Sequence, residues 1–188
     1  MNRIISLALT VAMLFLTSGC TLVAPNGNSA SSSSGSSSSS ATVSKPDWGV
    51  QTKKTGCVVQ GPMQDKACTP GDILPDATKD EICQPGYARS VRNVPTSVKN
   101  KVYAEYGITS HAAGEYEVDH LVSLELGGSN NVANLWPEAA SPKPGFHEKD
   151  KVENYLHDQV CSGAISLEDA QVQIATDWLS VYQRMPSK

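Results

Sequence analysis

The chain lacks a basic excess: fifteen Lys and Arg stand against nineteen Asp and Glu, a formal net charge of -4. Duplex nucleic-acid binders usually carry a basic balance or patch, because affinity for the phosphate backbone comes from neutralising it. Attraction to a nucleic acid must therefore come from local clusters, and the candidates are Arg89 with Arg92, and Lys143 with Lys149 and Lys151. The chain also lacks a Cys-x-x-Cys pair, so the spacing of its cysteines does not point to a zinc site. No apolar run reaches the roughly 20 residues of a spanning helix. No internal repeat is visible.

What is present at the start is a leader. Arg3 supplies a positive n-region, and residues 4–16 form an apolar stretch of signal-peptide length. It ends in Leu16-Thr17-Ser18-Gly19-Cys20, small residues before a cysteine, which resembles a bacterial lipobox. The resemblance implies that residues 1–19 are a lipoprotein signal peptide and that Cys20 carries the lipid. Thr17 departs from that motif, which usually has Leu there. An ordinary secretory signal cut nearby is the alternative. Residues 20–46 are dominated by serine, cannot bury enough apolar surface to offset ordering, and are expected to be a flexible tether. The expected location is the bacterial cell envelope, with a membrane contact through the lipid anchor and no protein partner.

Removal of Arg3 with the leader leaves fourteen basic residues against nineteen acidic ones. The remainder, 47–188, has the length of one domain. Its four cysteines are an even number in an exported chain, which suggests two disulfides. Three connectivities are open. Cys57–Cys68 as a local clip and Cys83–Cys161 as a long-range staple are favoured.

Residues 48–85 are rich in Pro, Gly, Asp and Thr and read as clipped loops, with one short strand at 57–60. A helix opens at Pro95-Thr96 with Thr96 as N-cap, places Val98, Val102 and Tyr106 on one face, and stops at Gly107. Alternation over 116–126 predicts a strand with Val118, His120, Val122 and Leu124 on one side. A second strand is predicted at 132–136, ended by Pro137. A helix over 146–160 buries Val152, Tyr155, Leu156, Gln159 and Val160 and leaves His147, Asp150, Lys151 and Asn154 on other faces. A last helix starts at Ser166, with Asp169 in a capping-box position and Leu167, Ala170, Ile174, Trp178 and Tyr182 on its apolar side. The tryptophans at 48, 136 and 178 read as core.

The chemistry concentrates in 116–147, YEVDHLVSLELGGSNNVANLWPEAASPKPGFH. An acid–histidine pair, Asp119-His120, closes the alternating run. A Gly-Gly-Ser-Asn turn, then Asn134-Leu135-Trp136, then His147 follow. Carboxylate, imidazole and amide oxygen suit a divalent ion. A histidine beside such an ion is placed to take a proton from water. Strict alternation would send Asp119 and His120 to opposite faces, so one shared site needs the strand to end, twist or bulge there.

The set Asp119-His120, Gly127-Gly128, Asn134-Leu135 and His147 resembles the HNH nuclease family, closely over about a sixth of the chain. Residues 83–178 also resemble small secreted bacterial proteins that carry such a core. The resemblance implies an α+β fold: a ββα-metal (HNH-like) core at about 116–160, flanking helices, and a disulfide-clipped N-terminal loop region. It implies a metal-dependent endonuclease with His120 as general base and Asp119 as metal ligand. Asn134 either braces the loop or gives its amide oxygen to the ion. His147 completes the metal shell, with Asp150 as its rival. Glu117 pairs with Arg89 or Arg92, which could equally meet substrate phosphates. Mg²⁺ is the first choice of ion, then Mn²⁺ or Zn²⁺, and the substrate is a nucleic acid, DNA ahead of RNA. His111 and His157 fall outside the motif and read as structural or solvated. The competing reading is a non-catalytic, envelope-anchored binding or structural lipoprotein on the same scaffold, favoured if His120 is buried in the apolar core.

Overall fold

The computed structural model describes residues 44–186. The leader, the lipidation candidate Cys20 and most of the serine-rich segment lie outside these residues. No helix among the described residues is long and apolar enough to cross a membrane.

The architecture is α+β. Two short helices, α1 (Lys79–Ile82) and α2 (Tyr87–Val91), and a longer α3 (Thr96–Glu105) precede a hairpin of β1 (Tyr116–His120) and β2 (Leu135–Ala139). Helices α4 (Phe146–Ser162) and α5 (Leu167–Arg184) follow. The strands pair antiparallel, with Glu117 opposite Glu138, Asp119 opposite Trp136 and His120 opposite Leu135. One sheet face carries Val118 and Leu135 onto Val102 of α3. The other carries Trp136 into the main core, where Val152, Leu156 and Val160 of α4 meet Ile174 and Trp178 of α5.

The strands differ from their expected lengths for identifiable reasons. β1 stops at His120, because Ser123 caps a 3₁₀ turn, Leu124–Leu126, through its side chain and takes the chain out of the sheet. Val122 and Leu124 therefore sit in a loop. β2 starts three residues later than predicted, after a 3₁₀ turn at Val132–Asn134, and runs through Pro137. The bonds Leu121 N–H to Asn134 C=O and Ala140 N–H to Glu115 C=O bracket the ladder. By alternation they put Val118 and Pro137 in a non-hydrogen-bonded pair, so the missing N–H costs no ladder bond. The strand expected at 57–60 is reduced to a single bridge between Gln60 and Met63. The cap of α3 is Pro95, not Thr96, and makes no side-chain bond.

Helix ends follow the sequence signals closely. Ser166 accepts from the Asp169 N–H at 3.0 Å, and Gly163, at φ 82°, terminates α4 in the left-handed region. The two disulfides are Cys57–Cys68 and Cys83–Cys161, with Cα separations of 6.0 and 5.7 Å. The second spans 78 residues and ties the end of α1 to the last turn of α4. In the chain-entropy picture a longer closed loop restricts the unfolded state more, within a typical range of about 2–4 kcal/mol. Paired Cys→Ser replacement at 83 and 161 is therefore expected to lower the melting temperature more than the same change at 57 and 68. Equal shifts in calorimetry would contradict the loop-length argument.

Candidate functional site

The loop of residues 121–134 is held as a rigid unit. Asn134 is fully buried. Its Oδ1 accepts from the Val122 N–H at 2.9 Å and the Asp72 N–H at 3.3 Å, while Nδ2 donates to the carbonyls of Val122 and Ser129, both at 2.9 Å. All the bonding capacity of the amide is used on backbone. Asn134 is thus a brace, and its oxygen is not free to hold an ion. A Cβ on Gly128 would fall inside the Val122 carbonyl, so the Gly-Gly turn lets the loop close on itself. From outside, Gly71 N–H donates to Ala133 C=O at 3.0 Å, and Ser129 Oγ donates to Asp72 Oδ2 at 2.6 Å. The N-terminal loop region therefore backs the brace.

This unit fixes His120, which is 2% exposed. Its Nε2 lies 3.2 Å from Asn130 Oδ1. Asn130 cannot turn its amide around, because Oδ1 also accepts from the Asn93 N–H at 3.0 Å and Nδ2 donates to Val91 C=O at 2.8 Å. Nε2 must therefore carry the proton, and Nδ1 keeps the lone pair. Nδ1 makes no hydrogen bond among the described residues. Asn130 is more than the turn residue its sequence setting suggests: it selects the tautomer.

Burial pushes the His120 pKa down to about 4, helped by the charges of Arg92 and Lys149 and opposed by Asp119 and the Asn130 bond. The imidazole is therefore neutral at physiological pH. An unfolded histidine near 6.5 binds a proton that the folded one refuses, so stability rises with pH between about 4 and 6.5 and is fully present above that window. The shift corresponds to a change on the order of 3 kcal/mol. In urea titrations His120→Gln should flatten this dependence, and an unchanged slope would show that another group causes it.

Asp119 points to the other face of the sheet. The register runs unbroken through His120, with no bulge. The two side chains therefore do not converge in one open cleft, and what links them is Lys149. This lysine has 0% exposure and gives its three protons to Asp119 Oδ2 at 2.7 Å, the His120 carbonyl at 2.6 Å, and Glu153 Oε1. Burial alone would lower its pKa, but the charges of Asp119, Glu153 and Glu138 raise it. For Asp119, burial pulls upward and the Lys149 charge wins, holding the carboxyl below its usual range. Lys149 is thus an internal cation and unavailable to a phosphate, which removes it from the basic cluster read with Lys143 and Lys151.

Four further acids surround the pair. Burial pushes Glu153 up to about 7, although Lys149 and a 2.8 Å bond from Ser123 Oγ oppose this. Glu138 is 1% exposed, and its carboxyl shares a hydrogen bond with that of Asp119. Burial raises it well above the usual range, opposed by the Lys149 charge and aided by the Asp119 and Glu153 charges. Asp150 lies at the rim, where burial and the charge of Asp119 raise it and His147 opposes. Glu117, on the strand face of Asp119, is raised by burial and by Asp119 and Asp150.

His147 is exposed on the first turn of α4, its ring 4.3 Å from that of Phe146. It reaches the site only at the rim, beside Asp150. Arg89 and Arg92 line a cavity of about 640 Å³ between α1, α2 and His157. Neither forms an ion pair among the described residues, so the expected pairing with Glu117 is absent there. Arg92 acts electrostatically on both Glu117 and His120. Elsewhere, Cys83, His157 and Cys161 bring three ligand atoms within 4.8 Å, a group that could hold a metal ion. Its two sulfurs are joined as a disulfide, so thiolate ligation there would require reduction.

Glu138 and Asn130 were not legible as site residues, and Lys149 was read only as part of a basic cluster. For Lys149 a signal existed: it falls on the stripe of Val152, Leu156 and Val160 at helical spacing. Comparison with protein-family models, with curated proteins and with solved structures gave no match.

Proposed function

We propose that this protein is a hydrolase of phosphodiester bonds in nucleic acid, assisted by a divalent cation and built on an HNH-like ββα core. The observation that carries this reading is the fixed tautomer of His120, whose Nδ1 keeps its lone pair at the end of a strand braced by Asn134. The order of hairpin, braced loop and α4 agrees with the resemblance. Arg89 and Arg92, without carboxylate partners among the described residues, offer planar donors that suit a phosphodiester strand. His120 Nδ1 would accept the proton of the attacking water. Asn130 would keep the ring oriented while that proton arrives, and Lys149 would hold Asp119 ionised. Asp119, at the rim it shares with Glu117, Asp150 and His147, is the residue that would hold the ion. When bound, the ion would stabilise negative charge on the phosphate. The donors are mainly carboxylate oxygens, which suits Mg²⁺ first, then Mn²⁺, with Zn²⁺ less well matched.

One observation favours the second reading, a non-catalytic envelope lipoprotein on the same scaffold. His120 is 2% exposed and faces away from Asp119. Incubating the purified protein with plasmid, single-stranded DNA and RNA, across Mg²⁺, Mn²⁺ and Zn²⁺ with and without chelator, decides between the two. Cleavage that needs the ion supports the hydrolase. Intact substrates under every condition would leave the scaffold.

A further inference from the structure

The cavity between α1, α2 and α4 is separate from the His120 site but tied to it. Its volume of about 640 Å³ lies within the range of roughly 300–1,000 Å³ usual for small-ligand pockets. The walls are fixed in place. Cys83 lines the cavity and is bonded to Cys161 of α4, and His157 Nε2 lies 3.1 Å from the Ile82 carbonyl. Arg92 lines it as well, and the residues on either side of Arg92 reach the His120 site. Val91 C=O and Asn93 N–H both bond the Asn130 amide, which contacts His120 Nε2. A ligand held by Arg92 is therefore registered against His120.

The lining makes two opposite demands on a ligand. Arg89 and Arg92 are exposed donors without ion pairs among the described residues. Glu125 lines the same space, and among those residues its carboxylate takes no hydrogen bond or ion pair. A bare phosphate would meet the repulsion of that carboxylate. A nucleotide answers both demands, because its phosphate accepts from guanidinium groups while ring N–H and amino groups donate to a carboxylate. Tyr87, half-buried in the same wall, supplies an aromatic ring for the base.

We propose that this cavity is a base subsite, which takes one unstacked nucleotide of a single-stranded nucleic acid with its phosphate on Arg89 and Arg92. A base in a duplex is stacked and paired, and turning it out carries a cost that an unpaired strand largely escapes. The net charge of -4 agrees, since it leaves no broad basic surface for a duplex. The inference rests on the hydrolase reading for the purpose of the subsite and deepens it by naming the substrate as single-stranded. The subsite itself can be measured by binding alone.

The test is fluorescence anisotropy of the full chain, in chelator so that nothing is cut, with a fluorescein-labelled single strand of mixed sequence. Deoxyribose and ribose strands are both used, and tight binding of either supports the proposal. The same strand annealed to its complement is expected to bind about tenfold more weakly, and so is an abasic strand, which keeps every phosphate and lacks the bases. Tyr87→Leu should weaken binding of the natural strand about tenfold and leave that of the abasic strand unchanged, a pattern that loss of fold would not produce. Glu125→Gln should narrow the gap between natural and abasic strands. Equal binding of those two strands by the parent overturns the proposal. So does a duplex bound as tightly as the single strand, or no binding of the single strand at all. Ion-dependent cleavage without base-dependent binding would keep the hydrolase and end this subsite. Base-dependent binding by a protein that cuts no nucleic acid would sustain the subsite and end the hydrolase reading.

Discussion

His120→Ala is expected to reduce cleavage by about two to four orders of magnitude, the usual contribution of a positioned general base. The structure adds a complication, because the ring is almost wholly buried. Alanine leaves a cavity and removes the donor to Asn130, so some stability will be lost along with activity. His120→Gln separates the two effects. Its amide can still donate to Asn130 Oδ1 but offers no basic nitrogen. Both variants should lose cleavage, and the glutamine form should keep more of the parent's urea midpoint. Its Mn²⁺ affinity should be unchanged, since His120 is not a ligand. The parent's rate should show no titration near pH 6.5, because the ring is already neutral above about pH 4. Full cleavage by His120→Gln would rule out His120 as the base.

Lys149→Met is expected to cost about 3–5 kcal/mol of stability, the scale seen when one partner of a buried ion pair is removed. The side chain has 0% exposure and holds two carboxylates and a backbone carbonyl. Methionine fills similar space but leaves Asp119 and Glu153 without their counter-charge. Adding Glu153→Gln to Lys149→Met should recover part of the loss, because the remaining acid then faces fewer like charges. Denaturant unfolding of the two single variants and the double variant gives the coupling energy directly. A single variant within 0.5 kcal/mol of the parent, about the spread of ordinary surface substitutions, would show that the lysine is not structurally engaged.

The sequence by itself determined the local parts of this protein. Ser166, Gly163 and Gly107 mark helix ends because caps and left-handed stops act within one turn of chain. The Val152, Leu156 and Val160 stripe needs only helical periodicity. Asn134 stood out beside the Gly-Gly turn, but whether its amide braces the loop or holds an ion was left open. The disulfide pairing favoured from the sequence, a short clip and a long staple, is the one found. Tertiary structure decided what depends on two elements meeting. The face of Glu138 depends on where β2 starts, and a shift of one residue would have turned it to the other side. The predicted β2 ended at Trp136, so Glu138 lay beyond it. Lys149 reads as a surface cation until α4 docks on the hairpin and seals it against Asp119. Asn130 reads as a turn residue until the end of α2 and the segment after it bring Val91 and Asn93 to its amide. A buried cation, an acid raised in pKa and a fixed tautomer at the site arise from burial and from partners distant in sequence, and none is written in any one stretch of the chain.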